Sequence, residues 1–146
     1  NKLKVYLNGL YSQEFYNLII LGIPLGLLTT NILYINQYPD YTSDKKVGKT
    51  HLVVLLGKKA SRWIYALNFA LAVGSLYFIS ENILNETQSS LFLYVLIPIT
   101  MIYSYYLISG LLKYYNSREL IKYNIHTIYF HMFFSFIYMI ILANFQ

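Results

Sequence analysis

The stretch FYNLIILGIPLGLLTTNILYI, residues 15–35, decides the fold. No Lys, Arg, Asp or Glu occurs between Glu14 and Asp40. A helix rises about 1.5 Å per residue, so roughly 20 apolar residues cross a hydrocarbon core of about 30 Å. The stretch therefore predicts a transmembrane helix. Working outward, three further stretches meet the same test: residues 63–80 between Arg62 and Glu81, about 91–112 between Glu86 and Lys113, and about 123–145 after Lys122. They are too long and too evenly apolar for the alternating strands of a membrane barrel. The prediction is an all-α, polytopic transmembrane bundle with four full spans. Pro24 and Pro98 fall inside spans, where neighbouring helices can satisfy the freed carbonyls. Local kinks are expected there, not helix ends. Ser12 is the expected N-cap of the first span and Ser117 that of the last. Residues Asn1 to Leu10 read as the end of an earlier helix, turning at Asn8 to Ser12.

The composition agrees. Hydrophobic residues make up 57% and charged residues 12%, about half the charged share of a soluble domain. The net charge of +5 lies in clusters beside the spans, not on a solvated face, so no nucleic-acid partner is expected. There is no cysteine, which excludes disulfides and thiolate metal sites. Lys45, Lys46, Lys49, Lys58, Lys59 and Arg62 follow the first span, and Lys113, Arg118 and Lys122 follow the third. The connection 81–90 has no Lys or Arg. The positive-inside rule therefore puts the connections after spans one and three in the cytoplasm, with a motif loop at 36–62 and a multi-pass location in the cell membrane. Asn85-Glu86-Thr87 has the form of a glycosylation sequon and is read as chance.

Chemistry concentrates in NQYPDYTSDKKVGK, residues 36–49. Asn36, Asp40 and Asp44 are spaced four apart, which stacks them on one helix face. Two carboxylates and an amide oxygen make a hard-oxygen set. Mg²⁺ uses such sets, through one or two carboxylates, several waters and substrate phosphates. Lys45, Lys46 and Lys49 add cations for an anionic diphosphate, and Gly48 permits close backbone approach. A merely solvated loop would have the same composition, and Pro39 can bend the helix that puts the three on one face. The spacing alone leaves both readings open.

The wider string carries a resemblance. YINQYPD at 34–40, Asp44, Gly48-Lys49 and LVVLLG at 52–57 resemble the second aspartate-rich motif of the UbiA family of intramembrane prenyltransferases. GIPLGLL at 22–28 is similar to the family's span before that motif. The dihydroxynaphthoate (menaquinone-type) branch is the most similar. The resemblance implies transfer of a polyprenyl group from polyprenyl diphosphate to an aromatic acceptor, with Mg²⁺ as cofactor. It implies Asp40 and Asp44 as catalytic metal-binding carboxylates and Lys49 against the diphosphate; Asn36 is expected to contact both metal and diphosphate, and Lys45 joins Lys49 on charge. It also implies a nine-helix fold of which these spans are the last four. The first aspartate-rich motif is then expected upstream of Asn1, and this piece alone is expected to be inactive. Other acceptors remain open, such as hydroxybenzoate, a glyceryl phosphate lipid or a porphyrin. So does a non-catalytic four-helix membrane protein, a transporter part or assembly subunit. His51 stands where the family often has Thr and reads as a headgroup-level loop residue. His126 and His131 lie about 140° apart on one helix, which favours packing or bundle hydrogen bonds over a metal pair. The clusters Tyr103, Tyr105, Tyr106 and Tyr114, Tyr115 suit an interfacial aromatic belt.

Overall fold

A computed structural model describes residues 12–143. Four helical rods account for it: α1 (Gln13–Lys46), α2 (Leu52–Asn82), α3 (Glu86–Tyr114) and α4 (Leu120–Ala143). Each is long and apolar enough to cross a membrane. They form an up-down-up-down ring, α1 against α2 and α4, and α3 against α2 and α4. The expected helix end at residues 1–10 lies outside the described residues.

The ends of the rods follow local chemistry. The Ser12 side chain accepts the Phe15 N–H and starts α1, as expected. Asn85 and Gln88 form a reciprocal capping box at the start of α3. The Ser117 hydroxyl accepts the Glu119 N–H, in the turn that leads into α4. α1 runs through Pro24 and Pro39 without ending. α3 opens with a helical turn, passes through a π-turn at Phe92–Leu96 and continues from Ile97, with Pro98 at its first turn. There the Ile97 N–H reaches back five residues to the Phe92 carbonyl. A π-turn is one way a helix accommodates a proline that lacks its own donor.

The expected motif loop at 36–62 is not a loop. Residues 36–46 continue α1, and 52–62 already belong to α2, leaving only Val47 to His51 as the connection. Most charged residues of this region are exposed or half-exposed on helices that extend beyond the apolar span, and Asp44 is buried. α2 is itself interrupted at Gly57, whose φ of 76° and ψ of 153° are not helical. That region is open essentially to glycine alone.

Buried polar groups join the rods. The Tyr34 hydroxyl donates to the Ser61 carbonyl at 2.9 Å, and the Tyr38 hydroxyl meets Ser61 Oγ at 2.9 Å. Asn68 donates to Asn31 Oδ1 at 2.9 Å, and Asn31 donates to the Tyr65 carbonyl at 3.2 Å. The Tyr65 hydroxyl meets Thr127 on α4 at 2.7 Å, and Tyr138 donates to the Leu21 carbonyl at 2.8 Å. Inside a bilayer, apolar surface gives helices no reason to leave lipid, so packing and such bonds hold them together, at about 0.6 kcal/mol for each bond. Aromatic rings fill the space between α3 and α4, with Tyr103 stacked on Phe130 at 4.9 Å and Tyr114 on Tyr123 at 5.5 Å. Tyr103, Tyr106 and Tyr114 are thus packed within the bundle, whereas Tyr105 is turned outward.

Candidate functional site

The last turns of α1 carry the motif. At about 100° per residue, Asn36, Asp40 and Asp44 fan across roughly 80° of one face. Core residues Leu28, Ile35 and Tyr38 lie on the other side of the helix. The Asn36 and Asp40 part of this face therefore looks away from the four-helix core, continuous with the outward-facing Leu33, which is 63% exposed, whereas Asp44 is buried beside its partners Lys49 and His51.

Asp44 is the most strongly held. Lys49 Nζ lies 2.6 Å from its Oδ1 and His51 Nε2 lies 2.9 Å from its Oδ2. His51 is also the N-cap of α2, its Nδ1 accepting the Val54 N–H. If Nδ1 accepts, Nε2 carries the proton and donates to Asp44. The histidine, in the connection as read from the sequence, thus also ties the start of α2 to the end of α1. The Lys49 bond first, and the His51 bond next, hold the Asp44 carboxyl below the usual carboxylate range. Asp44 reciprocally raises the Lys49 ammonium. The Lys49 side chain is still 60% exposed, so it has donors to spare for an anion.

Asp40 is exposed, and its carboxylate makes no hydrogen bond or ion pair among the described residues. Asn36 Oδ1 accepts from Asn124 Nδ2 on α4. Seven residues earlier on α1 and seven later on α4, Thr29 Oγ1 meets His131 Nε2 at 2.9 Å. These two pairs form rungs of one polar ladder that descends from Asp40 along the outward face. Lys45 lies over the Tyr41 ring at 5.8 Å and is not drawn into the Asp44 cluster. The fold therefore unites Asp44 with Lys49, joins Asn36 to Asn124, and leaves Asp40 and Lys45 beside them. Asn124, His51 and Gln37 are additions to the sequence reading. The Gln37 Oε1 atom is buried without a donor, one residue on from Asn36. His126 bonds Tyr103 at 2.9 Å, so the two histidines of α4 serve different neighbours, as their angular separation predicts.

Among the described residues, no three His, Cys, Asp or Glu side chains converge as a complete metal cage. The donors present are hard oxygens: the free carboxylate of Asp40, the ionised Asp44 and the amide oxygen of Asn36. Asp44 is engaged by Lys49 and His51 and Asn36 by Asn124, so of the three only the Asp40 carboxylate is without a partner among the described residues; Mg²⁺ would take such oxygens together with water and phosphate.

Residues 10–141 match the UbiA prenyltransferase family. The chain belongs to that family. No individual curated protein and no solved structure gives a match. Family membership brings prenyl transfer as the general reaction class and a membrane setting for the four helices. The protein is a multi-pass membrane protein of this enzyme class.

Proposed function

We propose that the UbiA-family chain belongs to a Mg²⁺-dependent enzyme that moves a polyprenyl group from polyprenyl diphosphate to an aromatic acceptor, of the menaquinone type. The supporting observation is the end of α1, where the exposed, unpaired Asp40 carboxylate stands one turn from the buried, ionised Asp44. In this reading Asp40 and Asp44, with Asn36, would hold the cation. Bound there, Mg²⁺ supplies positive charge to the diphosphate, whose C–O bond breaks with the electron pair leaving on oxygen. Lys49 offers its free N–H donors to the leaving group, and Lys45 adds charge from the same end of the helix. His51 keeps Asp44 oriented from the α2 side. Thr29, His131, Asn36 and Asn124 lay a polar stripe between α1 and α4 beneath the cation site, suited to a polar acceptor head beside an apolar chain. Because Asp40 looks away from the four-helix core, further ligands would come from other parts of the full-length enzyme. The lysine-rich end faces the cytoplasm of the cell membrane under the positive-inside rule.

The test is Asp40→Asn in the full-length protein, assayed with polyprenyl diphosphate and dihydroxynaphthoate. Loss of a charge that acts on the transition state costs on the order of 10²–10³ in rate. Wild-type Mg²⁺-dependent transfer by the variant rejects the assignment. Transfer to hydroxybenzoate but not dihydroxynaphthoate moves the acceptor to another branch.

A further inference from the structure

The bundle has a second polar recess that the Asp40 site does not use. It is a cleft of about 470 Å³ at the lysine-rich end, between α1, α2 and the α3–α4 turn. Tyr38 and Pro39 form one wall, Lys58 another, and Arg118, Leu120 and Ile121 the third, with the turn 115–117 closing the end. Pro39 lies about 100° round α1 from Asp40, and Tyr38 about 200°, so the cleft opens on a different side of the helix from the carboxylates.

Its chemistry is one-sided. Two cations line it and no acid does. Neither Lys58 nor Arg118 has a carboxylate partner among the described residues, where the only ion pairs are those of Asp44. Glu119, next to Arg118, is not part of the lining. The backbone break at Gly57 immediately precedes Lys58, and the Lys58 ammonium also lies over the Tyr41 ring at 5.5 Å. Ser117 and Asn116 add hydroxyl and amide donors. Such a recess wants a compact anion with several acceptor oxygens, which is the chemistry of phosphate.

We infer that this cleft binds the headgroup phosphate of an anionic phospholipid. It sits at the ends of membrane-spanning helices, where headgroups lie, and basic pockets between such helices hold acidic lipid heads. Its apolar side continues onto Ile121, which is 53% exposed, and so onto the lipid-facing surface of α4. That continuity offers a path for an acyl chain, which a free phosphate would not use.

Native mass spectrometry of the full-length protein tests this with phosphatidylglycerol against phosphatidylcholine. The paired variant Lys58→Gln with Arg118→Gln is compared with Lys46→Gln with Lys122→Gln, which removes equal charge outside the cleft. The expected result is that the cleft variant loses about tenfold in phosphatidylglycerol retention and the control less than twofold. Lys58→Arg with Arg118→Lys retains binding, which separates lost charge from lost folding. Prenyl transfer is not the readout, so failure of the proposed reaction leaves the result standing. Equal losses in both paired variants, or none in either, overturn the site. Displacement of the lipid by millimolar inorganic phosphate, with the same dependence on Lys58 and Arg118, overturns the lipid and assigns the cleft to free phosphate.

Discussion

At the scale of single residues, the end of α1 is governed by competition for Asp44. Its two oxygens are taken by Lys49 and His51, while Asp40 has neither partner. The two carboxylates therefore differ in surroundings although the sequence presents them as equivalents. His51→Ala removes the N-cap of α2 as well as a partner of Asp44. A lost cap costs about 1 kcal/mol, and the expected outcome is a lower thermal midpoint with faster hydrogen exchange at Val54 and Leu55. Asp44 also makes this corner pH-sensitive. Its carboxyl is held below the usual range, so its stabilisation is complete above the ordinary carboxylate range and is lost as pH falls through the lowered folded value. Thermal midpoints measured across acid pH are expected to fall for the wild type, and Asp44→Asn is expected to flatten that slope. The four-residue spacing of Asp40 and Asp44 and the lysines after them marked this segment as the candidate site. The role of His51 was not legible, because it depends on how α2 folds back on α1. Asn124 lies 88 residues from its partner Asn36, beyond the reach of any local pattern.

At the scale of elements, the apolar runs fixed the positions of the helices because run length and flanking charge are read directly against bilayer thickness. Their ends were less legible. Lys, Asp and Thr at 40–50 look like loop composition, yet a helix that has left the hydrocarbon can carry them on solvated turns. Gly57 gave no signal in the sequence beyond being a glycine near a lysine pair. Its φ of 76° makes Gly57→Ala costly, by about 1–3 kcal/mol, with the variant expected to melt earlier or to straighten α2. Gly110 is tight for a different reason. A Cβ there would run into the ring of Tyr123, which is stacked on Tyr114. Gly110→Ala is expected to cost about 1–3 kcal/mol through overpacking, read as a lowered unfolding midpoint in detergent.

At the scale of the whole molecule, four rods of similar hydropathy are kept in register by a few buried polar contacts. Asn31 is the central one, bridging to Asn68 and to the Tyr65 carbonyl. Asn31→Leu leaves the Asn68 amide without its acceptor, and an unmet buried donor costs about 1–3 kcal/mol. Titration with a denaturing detergent is expected to unfold this variant first, while Leu33→Ala on the exposed face leaves the midpoint unchanged. Asn31 follows two threonines and Asn68 stands alone in an apolar run, and nothing local pairs them, so this clasp could be seen only once α1 and α2 were side by side. The rungs Asn36–Asn124 and Thr29–His131 have an implication of another kind. Hydrocarbon solvates amides, hydroxyls and imidazoles poorly, so bare lipid is a bad solvent for that strip. Membrane insertion of these helices and burial of the strip under another surface are thereby thermodynamically linked: a bilayer that accepts the apolar rods will at the same time squeeze this edge toward any wetter or more polar companion.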